Sequence, residues 1–300
     1  MPKSRPSQAS PDVQAADAPR PYRLTRVGVR GVKKPVTVHR PGAKPTGVVA
    51  TFDLFADLPK TQKGTHMSRN LEALADILDE EVAAEAPSLE NLCRRLALRL
   101  LDKHDYATHA HVKADADYFL TRRNPGGKPS VEAYRLLAEA EALRGRGPRA
   151  KATATRRIGV EVVGMSACPC AMETVRHTLG AKVPKDLPFI THNQRNRVRL
   201  VLDLPGEADV EAADLVDLCE ASLSAPTFEL LKRGDEGELV LQAHHNPRFV
   251  EDVVREVLHK AADRYGELGP ATRIFVSSEA EESIHKHNAY AERTTTFGDL

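Results

Sequence analysis

A change of hydrophobic period along the chain does most to limit its fold. Residues 46–58, TGVVATFDLFADL, alternate apolar and polar side chains, the mark of a strand with one buried face. From Met67 the period lengthens, and Met67, Leu71, Leu74, Leu78 and Val82 fall on one helical stripe. Pro87–Ser88 opens a second helix whose stripe is Leu89, Leu92, Leu96 and Leu100. Period two returns in YATHAHVKADADYFLT, residues 106–121, and RNPGGKP then turns the chain. Upstream, YRLTRVGVRGVKKPVTV is rich in β-branched residues but broken at Gly31 and Lys33–Pro35, so it reads as a strand pair or one bulged strand. Residues 130–145 read as helical, RGRGPRAK as a basic loop and RRIGVEVVGM, 156–165, as the next strand. Strands before and after a helix pair imply an α+β fold with an antiparallel sheet.

The second half follows the theme more loosely. RNRVRLVLDL (195–204) reads as a strand, and GEADVEAADLVDLCEASL as a helix starting near Pro205. FVEDVVREVLHKAADRY (249–265) is a strongly amphipathic helix, and TRIFVSS (272–278) a strand. The expected organisation is a disordered, proline-rich segment over 1–21, a first module over 22–165 and a second over 166–300, with residues 165–195 joining the halves.

Net charge is +1, so no global field draws the chain to nucleic acid or an acidic membrane. Trp is absent and aromatics make up 5%, which weakens any base-stacking role. No apolar run is long enough to span a bilayer, and the first residues lack the apolar stretch of a secretory signal. The expectation is a cytoplasmic protein, and four cysteines in 300 residues make no disulfide framework. In a reducing compartment, two close cysteines suggest metal binding or catalysis.

ACPCAMETV puts Cys168 and Cys170 directly after a strand, with Pro169 removing a backbone donor and stiffening the turn. THNQRNR places His192 just before the next strand, and ESIHKHN places His285 and His287 just after the last one. LLKRGDEGE adds Asp235, Glu236 and Glu238. Thiolate, imidazole and carboxylate at strand ends form a donor set for a divalent ion with an open position, which would generate hydroxide at neutral pH. Taken singly these residues have plainer readings, as buried thiols and surface histidines. Cys93 and Cys219 lie on apolar helix faces and read as core. His244–His245 reads as a surface feature ahead of a helix, His109 and His111 as a solvated sheet face, and Arg144–Lys151 as a solvated insertion.

Five stretches in order, KGTHMSRN, ACPCAMETV, THNQRN, NPRFVEDVVRE and ESIHKHNAYAE, resemble the prokaryotic metal-dependent GTP cyclohydrolases, and the likeness runs from near residue 11 to about 291. The resemblance implies a tunnelling fold (T-fold) of two tandem antiparallel sheet-plus-helices modules, assembled as a homo-oligomer, a tetramer, with active sites at subunit interfaces. It implies that GTP is opened at C8, formate is released and the first pterin intermediate of folate or methanopterin synthesis is formed. By that likeness Cys168, His192, Glu236 and His285 are metal-ligand candidates. Cys170 is a further ligand or the proton-transfer group, and Glu282 would orient His285. Glu251 would accept hydrogen bonds from the guanine edge, a demand that rejects adenine. Lys63, His66, Arg69, Arg195 and Lys232, with Arg233, would meet the triphosphate, several of them across the interface. CPCAMETV and THNQRN stand closer to the archaeal-type branch, which implies ferrous iron, with zinc or manganese as other options. That branch yields a cyclic phosphate of dihydroneopterin instead of the triphosphate. Two other readings keep the same fold: a non-catalytic purine or pterin binder, and a nitrile reductase working through a thioimide cysteine. Intact Cys168, Cys170, His192 and His285 count against the first, and an idle His192/Glu236 pair against the second.

Overall fold

The computed structural model describes residues 12–38, 46–83, 88–145, 147, 150–180 and 189–300. The chain opens with β1 (Leu24–Val38), β2 (Thr46–Leu58), α1 (Met67–Ala83), α2 (Leu89–Lys103), β3 (His109–Arg123) and β4 (Pro129–Leu143). It continues with β5 (Thr153–Ala167), α3 (Pro169–Leu179), β6 (Asn193–Leu204), α4 (Ala212–Glu220), the short β7 (Ala225–Pro226), α5 (Arg233–His245) and α6 (Val250–Tyr265). Strands β8 (Arg273–Ala280) and β9 (Ala289–Thr296) close it.

The strands form one antiparallel sheet in the order β1-β2-β3-β4-β5-β6-β8-β9, with β7 pairing β5 off this path. Alternation sends Phe52, Leu54, Leu136, Ile158 and Leu200 to the helix-covered face, where one core cluster runs across both halves of the chain. Leu89, Leu92, Leu96 and Leu100 of α2 are fully buried there, each stabilising the fold by roughly 1.5–3 kcal/mol. Cys93 and Cys219 are buried in the same core, where burial pushes both thiols far above their ordinary titration range. The uncovered face carries charge: Asp53, Lys113, Glu139, Arg157 and Asp203 are joined in ion pairs along it.

Several expectations need correction. Residues 130–145 are not helical; β4 pairs with β3 from Pro129↔Arg123 to Leu143↔His109. Its Ala, Glu and Leu favour helices in isolation, but cross-strand pairing and burial override that preference. Of the two readings of the first stretch, the bulged strand holds: β1 is a single strand with an irregular register between Val29 and Val32 and Gly31 at φ 71°. The α1 stripe is rotated: Leu74, Ala73 and Ile77 are buried, whereas Met67 and Leu71 are exposed. The helix expected from Pro205 starts at Ala212. His244–His245 forms the last turn of α5, just ahead of α6. The Val82 side chain, Pro87, and residues 146, 148 and 149 of the basic loop lie outside the described residues. Arg144 is no solvated loop residue, since its guanidinium clamps the carbonyls of Leu101, His104 and Ala107. Residues 1–11 of the lead-in are likewise outside the described set, but residues 12–16 already make contacts. Lys63 N donates to Ala16 O at 2.8 Å, and Gly64 N donates to Gln14 O at 3.1 Å.

Antiparallel pairing sorts the loops into two opposite ends. Leu58, His109, Leu143, Thr153, Leu204 and Arg273 mark one end. Arg123, Pro129, Ala167, Asn193, Ala280 and Ala289 mark the other. The 15 residues of β5 separate the two ends by on the order of 40 Å.

Candidate metal and nucleotide site

Cys168 stands where β5 stops and α3 begins. It is the N-cap of α3, and its sulfur accepts from Ala171 N at 3.4 Å, with Pro169 at the first helical position. The β5–β6 ladder continues one step past Ala167↔Asn193, so Cys168 N donates to His192 O at 3.0 Å. Thr191 Oγ1 donates back to Cys168 O at 2.7 Å. The thiol and the imidazole are therefore neighbours by backbone register. Cys170, at the second position of α3, is exposed.

The His192 ring is held from one side. Its Nδ1 lies 2.9 Å from Gln194 Oε1 and 3.6 Å from a Glu282 carboxylate oxygen. Gln194 Nε2 is shared between Ser166 Oγ and Glu282 Oε1, both at 3.3 Å. Glu282 thus lies beside His192 and is linked to it through Gln194. His285 meets the His192 ring edge-on at 6.5 Å between centroids and stacks on His287 at 5.1 Å. Cys168, Gln194, Glu282 and Glu251 all line one cavity of about 210 Å³, together with Ser166, Arg248 and Tyr290. Glu251 arrives in the first turn of α6, which is tied to the site where Arg248 N donates to Ala167 O at 3.0 Å.

The remaining expected residues lie elsewhere. Glu236 is exposed in the first turn of α5, two turns from His244, whose Nε2 lies 3.4 Å from Thr191 O. Eight helical residues put Glu236 about 12 Å along the axis from that contact. Lys232, the α5 N-cap, faces the β3–β4 turn, where Asn124 Nδ2 donates to Leu230 O at 3.0 Å. Arg195 is on the sheet face opposite Gln194 and lines a separate cavity of about 290 Å³ with Glu132, Thr227 and Phe228. Lys63, His66 and Arg69 gather at the other end of the strands. There His66 Nε2 lies 3.0 Å from both Asp12 carboxylate oxygens, and Arg69 donates to Lys103 O at 3.2 Å. Beneath them runs a hydrogen-bonded row in which Thr65 meets Tyr106 Oη, Tyr106 Oη meets His104 Nδ1, and His104 Nε2 meets Asn70 Oδ1. His104 is fully buried, and burial, with the nearby Arg69 charge, lowers its pKa to about 4.

Among the described residues, His111, Glu139 and Glu141 bring three ligand atoms within 4.8 Å of one another, a spacing that fits a divalent metal. They sit on β3 and β4 of the charged face, so the expected solvated surface at His111 is instead a buried ionic cluster. Burial would raise the Glu139 carboxyl, but His111, Lys113 and Arg157 pull it down to about 2. Arg157 Nη1 already lies 3.1 Å from both carboxylates, where a cation would compete with it. The sequence pointed to this group only through the period-two spacing of His109, His111, Glu139 and Glu141.

No helix among the described residues is long and apolar enough to cross a membrane. Among solved structures, the fold resembles a uricase from Arthrobacter globiformis, with a TM-score of 0.52 at 11% identity over 91% of this chain and 93% of that one. A uricase from Bacillus fastidious gives 0.53 at 9% identity over 92% and 95%. These likenesses show the fold, an α+β T-fold. Among curated proteins, GTP cyclohydrolase MptA of Methanothermobacter thermautotrophicus is 41% identical, covering 97% of this chain and 94% of that protein. GTP cyclohydrolase MptA of Methanosphaera stadtmanae is 39% identical, covering 97% and 96%. A family model described as type I GTP cyclohydrolase folE2 matches residues 10–291. With nearly the whole length matched and two archaeal relatives of this identity, the chain belongs to the type I GTP cyclohydrolase folE2 family of enzymes.

Proposed function

We propose that this protein hydrolyses GTP at C8, releases that carbon as formate and closes the opened product into a dihydroneopterin phosphate. The observation that carries the reading is the shared cavity: Cys168 and Glu282, which belong to the thiol–imidazole cluster, face the same 210 Å³ space as Glu251. This supports a reading in which reaction chemistry and a purine-edge acceptor share one site.

Sulfur and imidazole donors suit iron or zinc, which supports Cys168, His192 and His285 as holders of a divalent ion; Glu236, which lies apart from them within the chain, would be a carboxylate donor supplied by a neighbouring subunit. Such an ion would supply Lewis acidity and lower the pKa of a water beside C8. Gln194, itself held by Glu282, supports the plane of His192, as amide and carboxylate partners do for ligating histidines. The exposure of Cys170 on the first turn of α3 supports a role in moving protons to the ring nitrogens of the opening imidazole. Glu251 accepts from guanine N1–H and the exocyclic amine, and its carboxylate would be left unpaired by adenine.

The triphosphate needs cations, and Lys63, His66 and Arg69 lie at the far end of the strands. The reading therefore includes a homo-oligomer, a tetramer, in which these residues enter the site of a neighbouring subunit, with Arg195 and Lys232 as further contacts. Apolar side chains exposed at the Cys168 end, including Leu230, Leu241, Phe249 and Ile284, support such an interface. Two modules, the first before and the second after a boundary near residue 165, would repeat the strand–helix–strand plan. The likeness to MptA proteins favours ferrous iron, a cyclic phosphate product, a cytoplasmic setting and the pterin pathway of archaeal type.

The test is anaerobic turnover of GTP with iron, zinc or manganese, following formate and the product mass. Formate release should disappear in Cys170→Ala while the circular dichroism melt stays in place. Wild-type turnover by that variant would refute the role given to Cys170.

A further inference from the structure

The cavity beside Cys168 contains a donor group that the protein leaves only partly satisfied. Arg248 and Glu251 stand three residues apart at the entrance to α6, and both line this cavity. The backbone of Arg248 is pinned by Ala167 O at 3.0 Å, next to Cys168. Its guanidinium makes one ion pair, Nη1 to Glu256 at 3.5 Å, a distance too long for a strong hydrogen bond. Its Nε is buried without a hydrogen-bond partner, while the side chain as a whole stays 22% exposed, so the guanidinium keeps an open part that can meet a ligand in the cavity. Glu256 is also engaged by Lys260, one turn further along α6. An arginine held this way has donors to spare, and a buried donor without a partner is costly. A ligand that brings an acceptor to this wall is therefore favoured.

We infer that Arg248 reads the O6 edge of the guanine base, so that Glu251 and Arg248 together recognise one continuous purine edge. The inference rests on the GTP reading above. Guanine presents an acceptor at O6, then donors at N1 and the exocyclic amine. Glu251 supplies acceptors for the two donors, and Arg248 supplies the donor that O6 lacks. Guanidinium is well matched to guanine, whose O6 and N7 accept from its planar fork. Adenine places an amino group where O6 would be, opposing donor to donor at Arg248 and leaving Glu251 unpaired at once. Rejection thus comes from both residues, and each contributes separately.

The separation can be measured with nucleotides altered at one position. 6-Thioguanosine triphosphate replaces O6 with a weaker acceptor, and inosine triphosphate lacks only the exocyclic amine. Wild-type protein should prefer GTP over the 6-thio analogue by about tenfold or more, the worth of a charge-assisted hydrogen bond. Arg248→Ala should weaken GTP by about tenfold while barely changing the 6-thio analogue, collapsing the preference to within about twofold. Arg248→Lys keeps a positive charge for Glu256, so it should melt like wild type, yet it should also lose most of the 6-thio discrimination. Glu251→Gln should lose the GTP-over-ITP preference and keep the 6-thio one. If both Arg248 variants bind GTP and the 6-thio analogue with the wild-type ratio, Arg248 does not read O6. Equal loss of both nucleotides would assign it a structural role instead. If the wild-type protein makes formate from GTP while the Arg248 variants show either pattern, only this inference falls, whereas a wild-type protein that neither binds nor turns over GTP overturns the activity reading with it.

Discussion

Two defective proteins should rescue each other if the active site is assembled from two chains. Arg69 sits where β3 begins and Cys170 just beyond the end of β5, at opposite ends of the sheet. The 15 residues of β5, a twisted strand, keep these ends on the order of 40 Å apart. An extended GTP molecule cannot bridge that span, so a site using both residues must draw them from different subunits. Arg69→Ala and Cys170→Ala proteins are each expected to be nearly inactive alone. Mixed one to one and allowed to exchange subunits, each site draws its Arg69 end and its Cys170 end independently. The chance that both are intact is one half squared, so activity should return to about a quarter of wild type. The assay is formate release per site after denaturant-assisted exchange, with hybrid oligomers verified by native mass spectrometry. Verified hybrids with no recovery would show that Arg69 does not serve a neighbour's site and would remove the first motif from the catalytic machinery.

Acid should unlock His104. Its pKa is lowered to about 4 by burial, so the unfolded chain takes up the proton first. Stability should hold above about pH 6.5 and fall by up to roughly 3 kcal/mol as pH drops toward 4. Denaturant midpoints across that range should flatten in His104→Gln, and an unchanged acid slope would show that other groups carry it. Glu251→Gln should cut kcat/KM for GTP by at least tenfold and leave the melting midpoint nearly unchanged, because the side chain is exposed. Comparable losses of activity and stability would make Glu251 part of the scaffold.

Hydrophobic period revealed most of the scaffold. The α2 and α6 stripes and the alternation in β2 and β3 are strong because each element has one buried face. β4 was misread because Ala138, Ala140 and Ala142 alternate with Glu139 and Glu141, and helix-forming side chains masked a period of two. α5 carries Gly234 and Gly237 and buries only Leu239 and Ala243, so it offers no stripe to find. At the site, Cys168 and His192 were legible as chemistry but not as neighbours, since their proximity comes from the β5–β6 register. Arg248 gave no signal at all: an arginine before a helix looks solvated until its buried Nε is seen. The distance of Lys63 and Arg69 from Cys168 follows from strand direction, which residue patterns along a single chain do not encode.

The excursion between Cys168 and His192 is clasped at its base by two hydrogen bonds, one in each direction. That clasp sets the spacing of the two backbone positions that carry sulfur and imidazole. Doubling the length of such a detour costs only about 0.6 kcal/mol in closure entropy. Beyond α3, which carries Cys170, the pairing of Cys168 with His192 does not depend on the connector's length, so this is where relatives could lengthen or shorten the chain without moving that pair.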